Sequence, residues 1–259
     1  MIIKTIPQIR TGCILKQTML TAIADSAFLT NEYMMEGYAD GILSGCTLSA
    51  TQDVIVVNKG AVWMEGQIFL IKEPLTINYS PTNTTTVLKL CFADEVRDAD
   101  SVYYEMNLVL TRDCKAGKKE IELCRFKLQE GAQLRYHYQD FEDRITEFDT
   151  MNRIHVPYAS YGRSTLSPDI TRAFANEMLD TGSLRDFDAA FCLQILASDR
   201  PIAAEALIRY IEYTNNQKLE NCTNEGIYRE LTQILSRQKG TKEPPAKQGK
   251  AKKWKVLME

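Results

Sequence analysis

Apolar residues recur at spacings of three and four over residues 17–38, where Met19, Leu20, Ile23, Ala24, Ala27 and Phe28 mark a helix. Thr30 or Asn31 could cap a second set of turns through Tyr33, Met34 and Tyr38, and Gly37 and Gly41 end the pattern. Residues 1–16 have no period, contain Pro7 and Gly12, and read as an extended arm. One reading packs the helix on the domain that follows. The other makes it an oligomerisation helix, because Met34 and Met35 cannot both face one narrow stripe.

From Ile42 to about Tyr138 the period shortens to that of β-structure. The expected strands are Val54–Val57, Ala61–Ile71 broken at Glu65-Gly66, Leu75–Tyr79, Thr86–Phe92, Val102–Leu110, Glu120–Leu128 and Leu134–Tyr138. Asn58-Lys59-Gly60 reads as a hairpin turn that pairs Val54–Val57 with Ala61–Met64, with Gly60 at positive φ. The strand over 120–128 changes phase. Ile121 and Leu123 share one face while Cys124, Phe126 and Leu128 take the other, as at a β-bulge or in a strand buried on both sides.

Residues 139–167 read as a linker, acidic and solvated at first and loosened later by Pro157 and Gly162. Ser167-Pro168-Asp169 is a strong helix start. Further helices are expected to open at Ser183 and Asp199 and to run from about Asn224 to Arg237. The expected fold is thus α+β. It comprises an N-terminal arm and helix (1–41), a β-sandwich-like domain (42–138), a linker (139–167), a small helical bundle (168–236) and a basic C-terminal arm (237–259).

Composition narrows the class. The chain has 259 residues, 44% hydrophobic and 25% charged, as globular proteins do, with a net charge of −3. No apolar run reaches the ~18–20 residues of a membrane helix, and Met1-Ile2-Ile3-Lys4-Thr5-Ile6-Pro7 offers no secretory apolar stretch. The seven cysteines are widely spaced and include no CxxC pair, so reduced core thiols are expected rather than zinc or disulfides. The last 23 residues carry eight bases and two acids, and end in Trp254-Lys255-Val256-Leu257-Met258. Such an arm suits docking on an acidic partner surface. Trp254, Val256 and Leu257 are the candidate anchors, with Lys250, Lys252 and Lys253 as steering charges.

Catalytic signatures are absent. There is no Walker loop, no GxGxxG, no HExxH and no GxSxG, and the two histidines, His137 and His155, stand beside no nucleophile motif. Asp140, Glu142, Asp143, Glu147 and Asp149 could supply two carboxylates for glycan hydrolysis, or oxygen ligands for calcium, although no D-x-D-x-D-G loop is present. Tyr103, Tyr104, Tyr136 and Tyr138 could stack on sugars or simply pack across strands. No enzyme, cofactor or metal is expected.

The segment Gly41-Ile42-Leu43-Ser44-Gly45, followed by Val54-Ile55-Val56-Val57-Asn58-Lys59-Gly60-Ala61-Val62-Trp63-Met64-Glu65-Gly66, resembles a pattern found near the start of many phage tail-fibre and baseplate proteins. The resemblance covers about residues 37–75. It implies a small β-domain that attaches a tail appendage, in a chain made in the bacterial cytoplasm and built into a virion or tail-like particle. The partners implied are other baseplate or fibre subunits, with several copies per assembly. A carbohydrate- or receptor-binding module, a carboxylate-dependent glycan hydrolase and a basic-tailed nucleic-acid adaptor stand as alternatives.

Overall fold

The structure is a computed structural model and describes residues 6–240. It is α+β, with eleven strands preceding four of five α-helices among the described residues. Helix α1 spans Gln17–Met34. The strands follow as β1 (Gly41–Gly45), β2 (Leu48–Ala50), β3 (Val54–Val57), β4 (Gly60–Met64), β5 (Gln67–Ile71), β6 (Leu75–Asn78), β7 (Thr85–Phe92), β8 (Val96–Arg97), β9 (Val102–Tyr103), β10 (Met106–Thr111) and β11 (Glu120–Lys127). After a 3-10 turn at Glu142–Ile145 come α2 (Pro168–Asp180), α3 (Asp186–Ala197), α4 (Ala204–Asn215) and α5 (Asn224–Gly240).

Three antiparallel three-stranded sheets enclose the first core, in the orders β1-β4-β5, β2-β3-β6 and β10-β7-β11. The expected hairpin is paired differently. Strand β3 lies between β2 and β6, whereas β4 lies between β1 and β5. The hairpin turn is Thr51-Gln52-Asp53, closed by Thr51 N–H to the Val54 carbonyl at 2.9 Å. From it, β2 and β3 run together, and β1 and β4 continue the same two-stranded ladder into another sheet. Asn58-Lys59-Gly60 is the corner between them, held by Asn58 N–H on the Thr47 carbonyl at 2.9 Å.

Gly60 does not adopt a positive φ. It is required by space, since a Cβ there would lie 2.5 Å from both Cys46 N and Cys46 Sγ. Gly41 is similarly crowded, 2.7 Å from the Pro157 carbonyl oxygen. The left-handed pair Glu65-Gly66 makes the tight β4–β5 turn. The phase change in β11 is a register shift against β7 between Glu122 and Cys124, and Ile121, Leu123, Cys124 and Phe126 are all buried. Residues 134–138 form no strand. Arg135 makes only an isolated bridge to Thr150.

A second core lies among α2 to α5, around Phe174, Met178, Leu207, Ile227 and Leu231. The Ser167 hydroxyl caps α2 by accepting from Asp169 N–H. The next two helices begin later than expected. α3 opens after Arg185 rather than at Ser183, and α4 after Ala203 rather than at Asp199, neither with a side-chain cap. α5 extends to Gly240, so the first residues assigned to the basic arm are helical.

Residues 139–167 are far from a solvated linker. Met151, Val156 and Tyr158 are buried in the first core, and Phe141, Ile154 and Leu166 in the second. By contrast, α1 buries none of its residues, so it is not packed into the β-core. It is also one continuous helix. Asn31 caps nothing, and instead its Nδ2 donates to the Ala27 carbonyl at 2.6 Å.

The Gly60→Val chain should be less stable by ~1–3 kcal/mol, because a branched side chain there overpacks against backbone. Thermal or urea denaturation measures this. Unchanged stability would contradict the crowded corner.

Candidate interaction surfaces and the joint between the cores

The joint is built on two buried arginines. Arg153, 8% exposed, reaches from the 150s segment and donates Nη2–H to the Tyr158 hydroxyl at 2.8 Å. Its Nη1 lies 3.5 Å from Asp169, at the start of α2. Arg144, from the 3-10 turn, sits 4.3 Å over the Tyr138 ring and donates to the Asp169 carbonyl at 3.3 Å. Burial pulls the Arg144 guanidinium below its ordinary pKa. Tyr138 itself donates to the Met151 carbonyl at 2.6 Å.

Around this centre, side chains tie the helices to the segment's backbone. Asn224 Nδ2 donates to the carbonyls of Val156 and Thr165 at 3.0 and 3.1 Å. The Thr165 hydroxyl donates to the Ile202 carbonyl at 2.7 Å. Tyr228 donates its hydroxyl to the Phe141 carbonyl, and Glu177 accepts from Phe141 N–H.

The acidic cluster is engaged in the same structure. Asp143 forms a two-pronged pair with Arg135, with Nη2 to Oδ1 at 2.6 Å, and also accepts from Gln139 N–H and the Thr146 hydroxyl. That pairing holds its carboxyl well below the usual carboxylate range. Glu147 meets Lys127 at 3.0 Å, Asp149 accepts from Gln129 N–H, Glu142 accepts from the Ser236 hydroxyl, and Asp140 accepts from Asp143 N–H. These carboxylates brace a turn.

The tyrosines divide in the same way. Tyr104 packs edge-on against Phe69 and donates to Glu95, and Tyr136 lies on His137, while Tyr103 stays exposed. His137 is exposed and His155 half-buried, its pKa lowered by burial and by Arg125. Among the described residues no group of His, Cys, Asp or Glu could hold a metal ion. Burial raises the thiol of Cys46 to about 11 and those of Cys124 and Cys192 to about 12, which keeps them protonated in the cores. No helix among the described residues is long and apolar enough to cross a membrane.

Two apolar surfaces stand out among the described residues. The first is α1 with the arm before it, where Ile9, Ile14, Leu20, Phe28, Tyr33 and Met34 are exposed. At 3.6 residues per turn, the apolar side chains of α1 occupy most of its circumference. Asp25 and Glu32, its only charges, share one narrow sector with Thr18 and Thr21. The second is an aromatic groove between α3 and α4. The α1 surface was visible in the residue spacing. The groove was not, because Phe187, Phe191 and Tyr210 fit a core stripe equally well. The candidate anchors Trp254, Val256 and Leu257, with Lys250, Lys252 and Lys253, lie outside the described residues.

No family model matches the chain, and no curated protein matches it in sequence. Among solved structures the chain is similar to a crystal structure of TssK, with 11% identity and a TM-score of 0.39, over 91% of this chain and 69% of that one. It is also similar to a chain of the type VI secretion system TssK-TssF-TssG baseplate subcomplex seen by cryo-electron microscopy. There the identity is 10% and the TM-score 0.41, over 93% of this chain and 100% of that one. Likeness at this level assigns neither a fold nor a role.

The Arg135–Asp143 pair sets an acid limit on the joint. With the folded pKa of Asp143 depressed, its stabilisation is complete above the unfolded value of ~4 and is lost as pH falls through the folded pKa. Asp143→Asn should lower stability at neutral pH and flatten its decline on acidification. Parallel pH–stability curves for the two chains would contradict this.

Proposed function

We propose that this chain is a non-enzymatic structural component of a phage-type tail baseplate or a related contractile particle, joining the baseplate core to fibres or receptor-binding subunits. The observation that carries this reading is α1, an 18-residue helix with no buried residue and a nearly uncharged surface, fed by an arm with further exposed aliphatics. Exposed apolar area on this scale marks a protein–protein contact. The body behind it is held rigid by two cores, which suits a part that positions neighbours.

The tail-type assignment is supported by the Gly41–Gly66 pattern. Its residues form the bent β1–β4 ladder, and its glycines at 41 and 60 stand where backbones cross closely. Assembly partners would be further subunits of the same particle. The chain would be made in the bacterial cytoplasm and incorporated there.

Replacing Ile23 and Phe28 by glutamate tests this role. Both are exposed, so the isolated chain should keep its stability within ~0.5 kcal/mol. Co-purification with the proteins encoded beside it should be lost. Undiminished co-purification by a folded double variant would rule out α1 as the assembly surface.

A further inference from the structure

The helical half carries an aromatic groove at the edge of the second core. Its floor is Phe191 stacked on Tyr210 with centroids 4.0 Å apart, and its wall is Phe187 against Tyr213 at 4.4 Å. Tyr213 is 67% and Phe187 43% exposed. Arg209 and Glu212 stand at the rim. Phe187 and Tyr213, exposed beside a buried aromatic floor, leave an unfilled apolar site.

The end of α5 lies beside the same pair of helices. Gln238 donates to the Ser183 carbonyl just before α3, and Arg237 donates to Asn215 Oδ1 at the end of α4. The chain continues past Gly240 and closes with Trp254-Lys255-Val256-Leu257-Met258. The tether between, residues 241–253, is 13 residues long, and a linker of that length has an average reach of roughly 20 Å. Each 12-residue helix of the groove is ~18 Å long, so its length is within reach.

Charge favours the same path. Asp140, Glu142 and Glu177 gather around the end of α5, where Lys239 meets Glu177 at 2.8 Å. Residues 241–259 carry six lysines and two glutamates in a chain of net charge −3, so the rest of the molecule is acidic. We propose that residues 254–258 dock in the α3–α4 groove of the same molecule, with Trp254 against Phe187 and Tyr213. The short tether gives the arm a millimolar-scale effective concentration at this site.

Tryptophan fluorescence of the full chain decides it. There are two tryptophans, Trp63 in the β-core and Trp254, so the difference between the unmodified chain and Trp254→Phe isolates Trp254. The expected emission is blue-shifted and shielded from acrylamide. It should move to that of a solvated indole in the Phe187→Ala, Tyr213→Ala double variant, with circular dichroism showing its helices intact. Leu193→Ala, exposed on α3 away from the groove, should leave it unchanged, as should about hundredfold dilution. Solvent-like emission in the unmodified chain overturns the proposal, as does emission indifferent to the groove substitutions. A blue shift lost on dilution places the arm on a second copy and overturns docking within the molecule.

Discussion

One strip of chain is a wall of both hydrophobic cores, and the arrangement of the molecule depends on it. Met151, Val156 and Tyr158 face the sheets, while Ile154 between them faces the helices. Side chains leave this strip on both sides, so it has little surface left for solvent. Its polar groups therefore need internal partners, which Arg153, Tyr158, Asn224 and Thr165 supply in large part, while the buried Nε of Arg153 has none among the described residues. Truncating one partner of such a network leaves another buried and unsatisfied, which costs more than the lost bond itself contributed. The two cores cannot separate without exposing both faces of the strip at once.

The arginines at this centre explain why the strip is polar at all. An apolar side chain at 153 would close the gap more cheaply, because a buried guanidinium loses its hydration. Arg153 instead spans from the sheet-side Tyr158 to Asp169 at the first turn of α2. It fixes where the helical half begins relative to the strands, a matter of geometry more than of net stability.

Much of the local structure was legible in the sequence. The cap at Ser167 and the break at Glu65-Gly66 are chemistry confined to a few adjacent residues, and the bulge at Glu122 shows as a phase change within one strand. The pairing of β3 and β4 was not legible. Asn58-Lys59-Gly60 has turn chemistry, but the turn that forms is Thr51-Gln52-Asp53, which lacks glycine, and Gly60 answers to a steric demand from Cys46, distant in sequence. The joint was hidden for a similar reason. Its buried residues follow no period, and the carboxylates that dominate residues 140–149 have arginine and backbone partners that only the fold brings near. The α3–α4 groove depends on which face of each helix is left uncovered, which spacing alone does not say.

The way α1 is attached has a thermodynamic consequence. The backbone pairing that secures its end stops at Gly37 to Ala39, where Gly162 and Ala39 N–H groups bond across to the Gly37 and Ser160 carbonyls. Before that point the helix has no side-chain cap, no acid in its first turn and no base in its last. A helix of 18 residues with so little support is near the length at which helix and coil balance in water. If α1 is the assembly surface proposed above, its ordering and its burial against a neighbour would be coupled, and part of the contact energy would go to restricting the backbone. Such a surface would associate with a large negative heat-capacity change and only moderate affinity. In that case a single copy would exchange readily, and lasting attachment would need several copies bound together.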